Sequence, residues 1–173
     1  MTGRSTQVRS VYIWVTEGTW RASVDAALNL APAGAEFTLL HVTPAAVTDA
    51  ARGAYLGLFG RGGRDPAAKV AELAAASAAD LLAAAAERLG SRCARLEIQG
   101  QAERAVVRAA AAADLLVMAR DGDQSRLGPK SLGRAARFIV DHAACPVLLV
   151  WPESAPGVGT LPPPPQQPSL RDR

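Results

Sequence analysis

Short apolar runs alternate with longer periodic segments along the chain, and this alternation predicts strands separated by helices. The first run, residues 11–15, is continuous and rich in β-branched and aromatic residues, which predicts a buried strand ending at the turn residues 16–19. The other strand-like runs share this length and composition; they are residues 36–42, 92–98, 115–118 and 146–150. Within 92–98 apolar and charged residues alternate, which is typical of a half-covered strand at a sheet edge.

Helical spacing fills the intervals between these runs. Thr19 can cap a first helix that ends at residues 32–34, and Asp65-Pro66 predicts the start of a long second helix that ends at Gly90. Residues 102–112 and 132–142 predict two more. The buried stripes follow from helical periodicity; we expect Ala22, Ala26, Ala27 and Leu30 in the first helix, and Val70, Leu73, Ser77, Leu81, Ala84 and Arg88 in the second.

The resulting β-α-β-α-β-α-β-α-β order predicts a three-layer α/β/α sandwich around a five-stranded parallel sheet with right-handed crossovers. In such a sheet, ligands bind beyond the carboxyl ends of the strands, where the strand order reverses. The segments 16–19, 42–44 and 119–133 are therefore the places to look for a site.

Three segments lie outside the regular pattern. Residues 1–9 form an N-terminal extension to a domain at 10–151. Residues 43–65 hold five glycines around an apolar centre, which predicts a long flexible loop, either a lid or a disordered segment. Residues 152–173 are proline-rich, which predicts a disordered, solvated tail.

Composition narrows the class of protein. With 173 residues, 49% hydrophobic and 20% charged, the chain can bury one core and has no room for two full domains. The net charge is only +3, which does not favour a nucleic-acid-binding protein. No run approaches the roughly 18 apolar residues of a membrane span, and residues 11–15 are too short for a signal sequence.

The two cysteines also bear on the compartment. Cys93 and Cys145 lack a second cysteine or a histidine at ligand spacing, so buried thiols are expected rather than a metal site. We therefore expect a cytoplasmic protein without a membrane anchor or a bound metal.

The loop after the fourth strand carries the strongest functional signal. It contains Gly122 and Gly128 ahead of a predicted helix and Gly133 in the first turn of that helix. Glycines there let backbone N–H groups approach a phosphate at the positive helix end. The twelve residues 126–137 also carry four basic side chains and no acidic one. These are Arg126, Lys130, Arg134 and Arg137. The segment predicts an anionic or nucleotide ligand.

Three segments are distinctive: residues 39–42 (LLHV), 113–118 (ADLLVM) and the ending 142–150 (HAACPVLLV). They resemble the universal stress protein family, and the resemblance covers residues 10–151. The resemblance implies a Rossmann-like fold of the adenine nucleotide alpha hydrolase-like kind and a general role in stress tolerance with no single shared reaction. It also implies a homodimer through the last strand, here Val147, Leu148, Leu149 and Val150.

A subset of that family binds ATP, with an acidic residue after strand one and a G-x2-G-x9-G-[ST] loop after strand four. The matching positions here are Thr16, or Glu17 if the turn shifts register, then Val42, Met118, Ala119, Gly122, Gly133 and Arg134. Three features depart from the pattern: Thr16 replaces the acid, Ala119 the first glycine and Arg134 the hydroxyl residue. Ten residues rather than nine also separate Gly122 from Gly133.

These observations favour a divergent, non-enzymatic binding or regulatory module with a degenerate nucleotide site. An ATP-binding member of the family is the alternative, and a structural partner that recruits proteins through its loop and tail is a third hypothesis. No catalytic set can be assembled, because neither His41 nor His142 has an obvious nucleophile beside it. We expect His41, at a strand end, to be hydrogen-bonded, and His142 to stabilise a helix C-terminus.

Overall fold

Nine regular elements alternate between strand and helix in the computed structural model, which describes residues 8–44, 66–90 and 92–163. The elements are β1 (Ser10–Trp14), α1 (Trp20–Leu30), β2 (Glu36–Pro44), α2 (Pro66–Leu89), β3 (Cys93–Gly100), α3 (Ala102–Ala110), β4 (Leu115–Ala119), α4 (Arg134–His142) and β5 (Val147–Val150). Short 3-10 turns lie at Pro129–Ser131 and Val158–Thr160. The predicted order of elements is confirmed.

The five strands form one sheet in the order β3-β2-β1-β4-β5, and every neighbouring pair is parallel. From β1 the chain adds β2 and β3 on one side and then crosses to add β4 and β5 on the other. The strand order thus reverses between β1 and β4, so a ligand would bind at the carboxyl ends of these two strands. The predicted fold class is confirmed, and β3 lies at an edge as expected.

Alternation along β1 divides the interior into two cores, one on each face of the sheet. Val11, Ile13 and Val15 are fully buried against α1 and α2, whereas Trp14 points into the core under α3 and α4. Successive side chains of a strand point to opposite faces, so a continuous apolar run needs cover on both sides. The helices on the two faces provide that cover.

The buried stripe predicted for the long helix is wrong. Ala78, Leu82, Ala85 and Leu89 face the core, one position beyond the predicted stripe, and Leu73 is 58% exposed. Alanine occurs all around this helix, so there is little polar contrast to mark the inner face. Leu30 in α1 is also 64% exposed, since Trp20 and Val24 take the inner positions.

Several sequence predictions fall on residues outside the described ranges, namely most of the extension 1–9, most of the loop 43–65 and the last part of the tail 152–173. Thr43 and Pro44 belong to β2, which is therefore two residues longer than predicted. Within the described residues, no helix is long and apolar enough to cross a membrane.

Asp114 ties the beginning of β4 to the beginning of β1. Its Oδ2 accepts hydrogen bonds from the backbone amides of Arg9 and Ser10, both at 2.9 Å. The Ser10 amide, followed by the Arg9 amide, holds the pKa of the Asp114 carboxyl below its ordinary value. The carboxylate thereby supplies acceptors at the end of the sheet opposite the ligand position.

We expect Asp114→Ala to lower the melting temperature at neutral pH by a few degrees, because two amides lose their acceptor. Asp114 has a lowered pKa in the folded state, so its stabilising contribution is present above the ordinary pKa near 4 and is lost as the pH falls below it. Thermal melts between pH 7 and pH 3 should show the two proteins converging at the acid end. Asp80→Ala, at an exposed position of α2, is the matched control. A constant difference across the pH range would contradict the prediction.

Candidate functional site

The predicted site residues lie in two separate places at the carboxyl end of the sheet. Thr16, Glu17 and Val42 line a cavity of about 340 Å³ between the ends of β1 and β2 and the helix α2. Met118 and Ala119 are buried at the end of β4, where they form the base of the loop that carries Gly122 and Gly133. The cavity and the loop are therefore separate parts of this edge.

The turn after β1 is held by hydrogen bonds among its own residues. Thr16 Oγ1 lies 2.6 Å from Thr19 Oγ1, and the Thr16 carbonyl accepts hydrogen bonds from the amides of Thr19 and Trp20 at 3.3 and 3.1 Å. Gly18 has φ +79°, a conformation that favours glycine. Glu17 is exposed. Neither Thr16 nor Glu17 places a buried carboxylate at the end of β1.

His41 joins β2 to the end of β1. Its Nδ1 lies 2.8 Å from the carbonyl oxygen of Val15, and because a carbonyl only accepts, Nδ1 is the donor. This contact agrees with the interpretation of His41 as a hydrogen-bonded histidine at a strand end. The ring also borders the cavity.

The loop after β4 folds back on its own backbone. The Gly122 amide donates to the Ser131 carbonyl at 3.0 Å, and the Asp123 amide donates to the Lys130 carbonyl at 2.9 Å. A Cβ on Gly122 would lie 2.4 Å from the Lys130 oxygen. Glycine at this position is thus required by the close approach of two backbone segments.

The Asp121 side chain lies at the N-terminal end of α4. Its Oδ1 accepts a hydrogen bond from the Gly133 amide at 2.7 Å, directly before the first residue of the helix. A Cβ on Gly133 would meet the Asp121 carboxylate at 2.8–2.9 Å. The amide at the positive helix end therefore already has an anionic acceptor from within the chain.

Sequence reasoning missed Asp121. The sequence feature that could have indicated its role is an acidic residue immediately before a glycine, in a loop that also carries several basic residues. Only the tertiary structure shows that this carboxylate reaches Gly133, twelve positions away.

Arg120 was also missed, and it links the loop to the end of β5. Its backbone amide donates to the Val150 carbonyl at 2.9 Å, and its guanidinium lies over the Trp151 ring, 4.6 Å from the ring centroid. The same guanidinium donates to Ser131 Oγ, which in turn donates to the Gly128 carbonyl at 2.7 Å. Trp151 therefore stacks with a cation of its own chain.

Two of the four basic side chains predicted to attract an anion are hydrogen-bonded to groups of this chain. Arg126 Nε pairs with Asp123 Oδ2 at 3.2 Å, and Arg137 Nη2 donates to the Pro129 carbonyl at 2.7 Å. Arg134 lines a separate groove of about 330 Å³ between α3 and α4. The pKa of Asp123 is held below its ordinary value by the Ser125 hydroxyl first, then by the Ser125 amide and the Arg126 charge. Two of the four positive charges of this segment, those of Arg126 and Arg137, are thus already engaged.

The beginning of the C-terminal tail lies against the same loop. Thr160 Oγ1 accepts a hydrogen bond from the Leu127 amide at 3.0 Å and donates to the Gly157 carbonyl at 2.7 Å. Gly128 has φ +118°, and the Pro162 ring lies 3.6 Å from where a Cβ would stand. Residues 157–162 thus contact the loop, although the sequence predicted a disordered tail from residue 152.

The remaining candidate groups have structural environments. His142 Nδ1 lies 2.8 Å from the Phe138 carbonyl, and its ring stacks on Phe138 at 4.1 Å. Burial raises the pKa of the Cys145 thiol, which makes it a poorer nucleophile at neutral pH. In the part of the chain that the structure describes, no three side chains come together as a metal site.

A five-stranded parallel sheet whose order reverses between β1 and β4, followed by a glycine-bearing loop and a helix N-terminus, defines a Rossmann-like α/β domain. The family model described as "Universal stress protein family" matches residues 18–150. The chain belongs to the universal stress protein family.

Solved structures share this fold. The hypothetical protein MJ0577, described as having its biochemical function assigned from structure, is 16% identical with a TM-score of 0.61, covering 87% of this chain and 100% of that one. UspA from Lactobacillus plantarum is 19% identical with a TM-score of 0.60, covering 84% and 99%. A universal stress protein in complex with cAMP is 18% identical with a TM-score of 0.56, covering 86% and 100%. No curated protein matches the sequence.

The closure of the loop gives a direct prediction for Gly122. Gly122→Ala should destabilise the fold by about 1–3 kcal/mol, because its Cβ would collide with backbone atoms of residues 130–133. Gly157→Ala is the matched control, since φ is −62° and nothing lies within 4 Å of its Cβ position. Urea unfolding would measure both. Equal stability of the two variants would show that the loop is not closed in this way.

Proposed function

We propose that this universal stress protein is a stress-response binding or regulatory module whose nucleotide site is degenerate, and that it is not an enzyme. The supporting observation is the use of the loop amides. Gly122, Asp123 and Gly133 donate to the Ser131 carbonyl, the Lys130 carbonyl and the Asp121 carboxylate. A phosphate would have to displace these partners, and a hydrogen bond of this kind contributes about 0.5–1.5 kcal/mol.

The turn after β1 supports the same proposal. The ATP-binding pattern that the sequence resembles has an acidic residue after strand one. Here Thr16 stands at that position and is hydrogen-bonded to Thr19, and the neighbouring Glu17 is exposed. The departure at Thr16 therefore coincides with a turn that is closed by its own hydrogen bonds. The closed loop and the closed turn both support the proposal that ATP is not held here.

An ATP- or nucleotide-binding protein is the alternative, with Thr16, Val42, Met118, Ala119, Gly122, Gly133 and Arg134 at the site. The specific observation in its favour is that a solved relative of the same fold is described as a complex with cAMP. For this chain, the alternative requires the loop to open and Asp121 to leave Gly133.

Calorimetric titration separates the two functions. We expect no binding of ATP to the full chain at millimolar concentration, with or without Mg²⁺, because the donors that would hold its phosphates are occupied. A dissociation constant in the low micromolar range would overturn the proposed degenerate site and establish the alternative.

The proposal includes a homodimer formed through Val147–Val150. This strand pairs only with β4 within the described chain, and all four of its residues are half-buried and apolar. Pro146 and Val150 direct their carbonyls at β4, so the polar backbone groups of Val147 and Leu149 point toward the open edge. An apolar edge strand with free backbone groups is suited to pairing with a second copy.

Light scattering should give twice the chain mass at micromolar concentration, and Val150→Arg should shift the protein toward the monomer by placing a charge in the interface. Leu73→Arg, at an exposed position of α2, serves as the matched control. A monomeric wild-type protein at high micromolar concentration would contradict the dimer.

A cytoplasmic location completes the proposal. Cys93 and Cys145 are both free thiols, and unpaired cysteines are the usual state in a reducing compartment.

A further inference from the structure

Besides the backbone hydrogen bonds of Gly122 and Asp123, two contacts within the chain hold the loop after β4 in its closed form. One is the Asp121 carboxylate on the Gly133 amide at the beginning of α4. The other is made by residues 157–162, named here the C-terminal strap, which contact Leu127 and Gly128 at the far part of the loop. Neither Asp121 nor the strap belongs to a motif recognised in the sequence.

The carboxylate has the chemistry of the group that it replaces. Carboxylate and phosphate oxygens are both anionic acceptors, and both are stabilised by a backbone N–H at the positive end of a helix. Here the Asp121 oxygen lies 2.7 Å from the Gly133 nitrogen at the start of the nine-residue helix α4. An incoming phosphate would find this donor taken and a like charge beside it.

Gly133 supports the same conclusion from the steric side. All three terminal atoms of the Asp121 side chain lie within 2.9 Å of the position that a Cβ on residue 133 would occupy. Glycine at this position therefore makes room for the protein's own carboxylate. The presence of two glycines from the family pattern does not by itself indicate a phosphate cradle.

We infer that Asp121 is the specificity-determining residue of this site, an internal carboxylate that takes the place of a ligand's phosphate group and makes the loop reject phosphorylated ligands. The C-terminal strap holds the loop in this form. The inference rests on the proposed degenerate site and names the residue responsible for it.

Hydrogen bonds at Leu127 and at Gly128, joined by the backbone between these two residues, link the strap to the loop. Thr160 Oγ1 accepts from the Leu127 amide while donating to the Gly157 carbonyl, so the hydroxyl is held from both sides. Next along the loop, the Gly128 carbonyl accepts from Ser131 Oγ, and Ser131 accepts from Arg120. The strap, the loop and the end of β4 are thereby connected, so loosening the strap also loosens the loop.

Asp121 is tested with two variants of the full chain and ATP with Mg²⁺ as the probe. We expect Asp121→Gly to bind ATP at least tenfold more tightly than the wild type, because it removes both the competing acceptor and the negative charge. Asp121→Asn keeps an acceptor for Gly133 but loses the charge, so its affinity should lie between the two. Asp141→Asn, on the exposed part of α4, is the matched control and should leave ATP binding unchanged.

An amide signal provides a second readout that does not depend on the whole nucleotide. Titration with inorganic phosphate should shift the NMR resonance of the Gly133 amide in Asp121→Gly and leave it unmoved in the wild type. Circular dichroism and thermal melts establish that each variant is folded. A folded Asp121→Gly and a folded Asp121→Asn that both bind ATP no better than the wild type would overturn the inference.

The strap is tested by Thr160→Val, which removes one hydroxyl and keeps the side-chain volume, with Ser154→Ala as the control at an exposed position. We expect Thr160→Val to speed hydrogen exchange at the Leu127 amide and to strengthen ATP binding further when combined with Asp121→Gly. Unchanged exchange and unchanged affinity would overturn the role of the strap.

The experiments distinguish a failure of the proposed degenerate site from a failure of the assignment to Asp121. Tight ATP binding by the wild-type chain would overturn the degenerate site itself. A wild-type chain that does not bind ATP, together with folded Asp121 variants that also do not bind it, would leave the degenerate site in place and overturn only the assignment to Asp121.

Discussion

Burial of β1 on both faces is the constraint on which the rest of the structure depends. Val11 and Ile13 have no solvent exposure on one side, Trp14 is buried on the other, and the strand is hydrogen-bonded along both edges. A strand in that position needs helices above and below it, and right-handed crossovers then place α1 and α2 on one face and α3 and α4 on the other. The reversal of strand order beside β1 follows, and it brings the loop after β4 next to the turn after β1.

The glycines at the carboxyl edge match the family's phosphate-loop pattern, but the groups that approach them belong to this chain. Gly122 is required because the Lys130 carbonyl approaches it, and Gly133 because the Asp121 carboxylate lies over it. Both reasons are internal to the loop. Glycine permits a close approach, and it does not specify whether a ligand or the chain itself makes that approach.

The basic residues of the segment 126–137 are also partly engaged by groups of this chain. Positive charge concentrated in residues 126–137 favours an anion, yet Arg126 is paired with Asp123 and Arg137 caps a backbone carbonyl. A guanidinium has several donors and a long side chain, so nearby carboxylates and carbonyls can engage it before a ligand does. Arg120, a single cation outside that cluster, stacks on Trp151 and connects β4 to the end of β5.

Hydrophobic periodicity by itself determined the order of the strands and helices, the parallel sheet and the edge position of β3, because those features follow from local patterns and from the handedness of crossovers. The inner face of α2 escaped prediction because alanine gives no contrast between its sides, so packing against β2 and β3 decided which residues were buried. The site was predictable only as a location. The contacts between Asp121 and Gly133 and between Thr160 and Leu127 join residues 12 and 33 positions apart, and no sequence period specifies such contacts. Tertiary folding decided which acceptor each loop amide would find, and with it the character of the site.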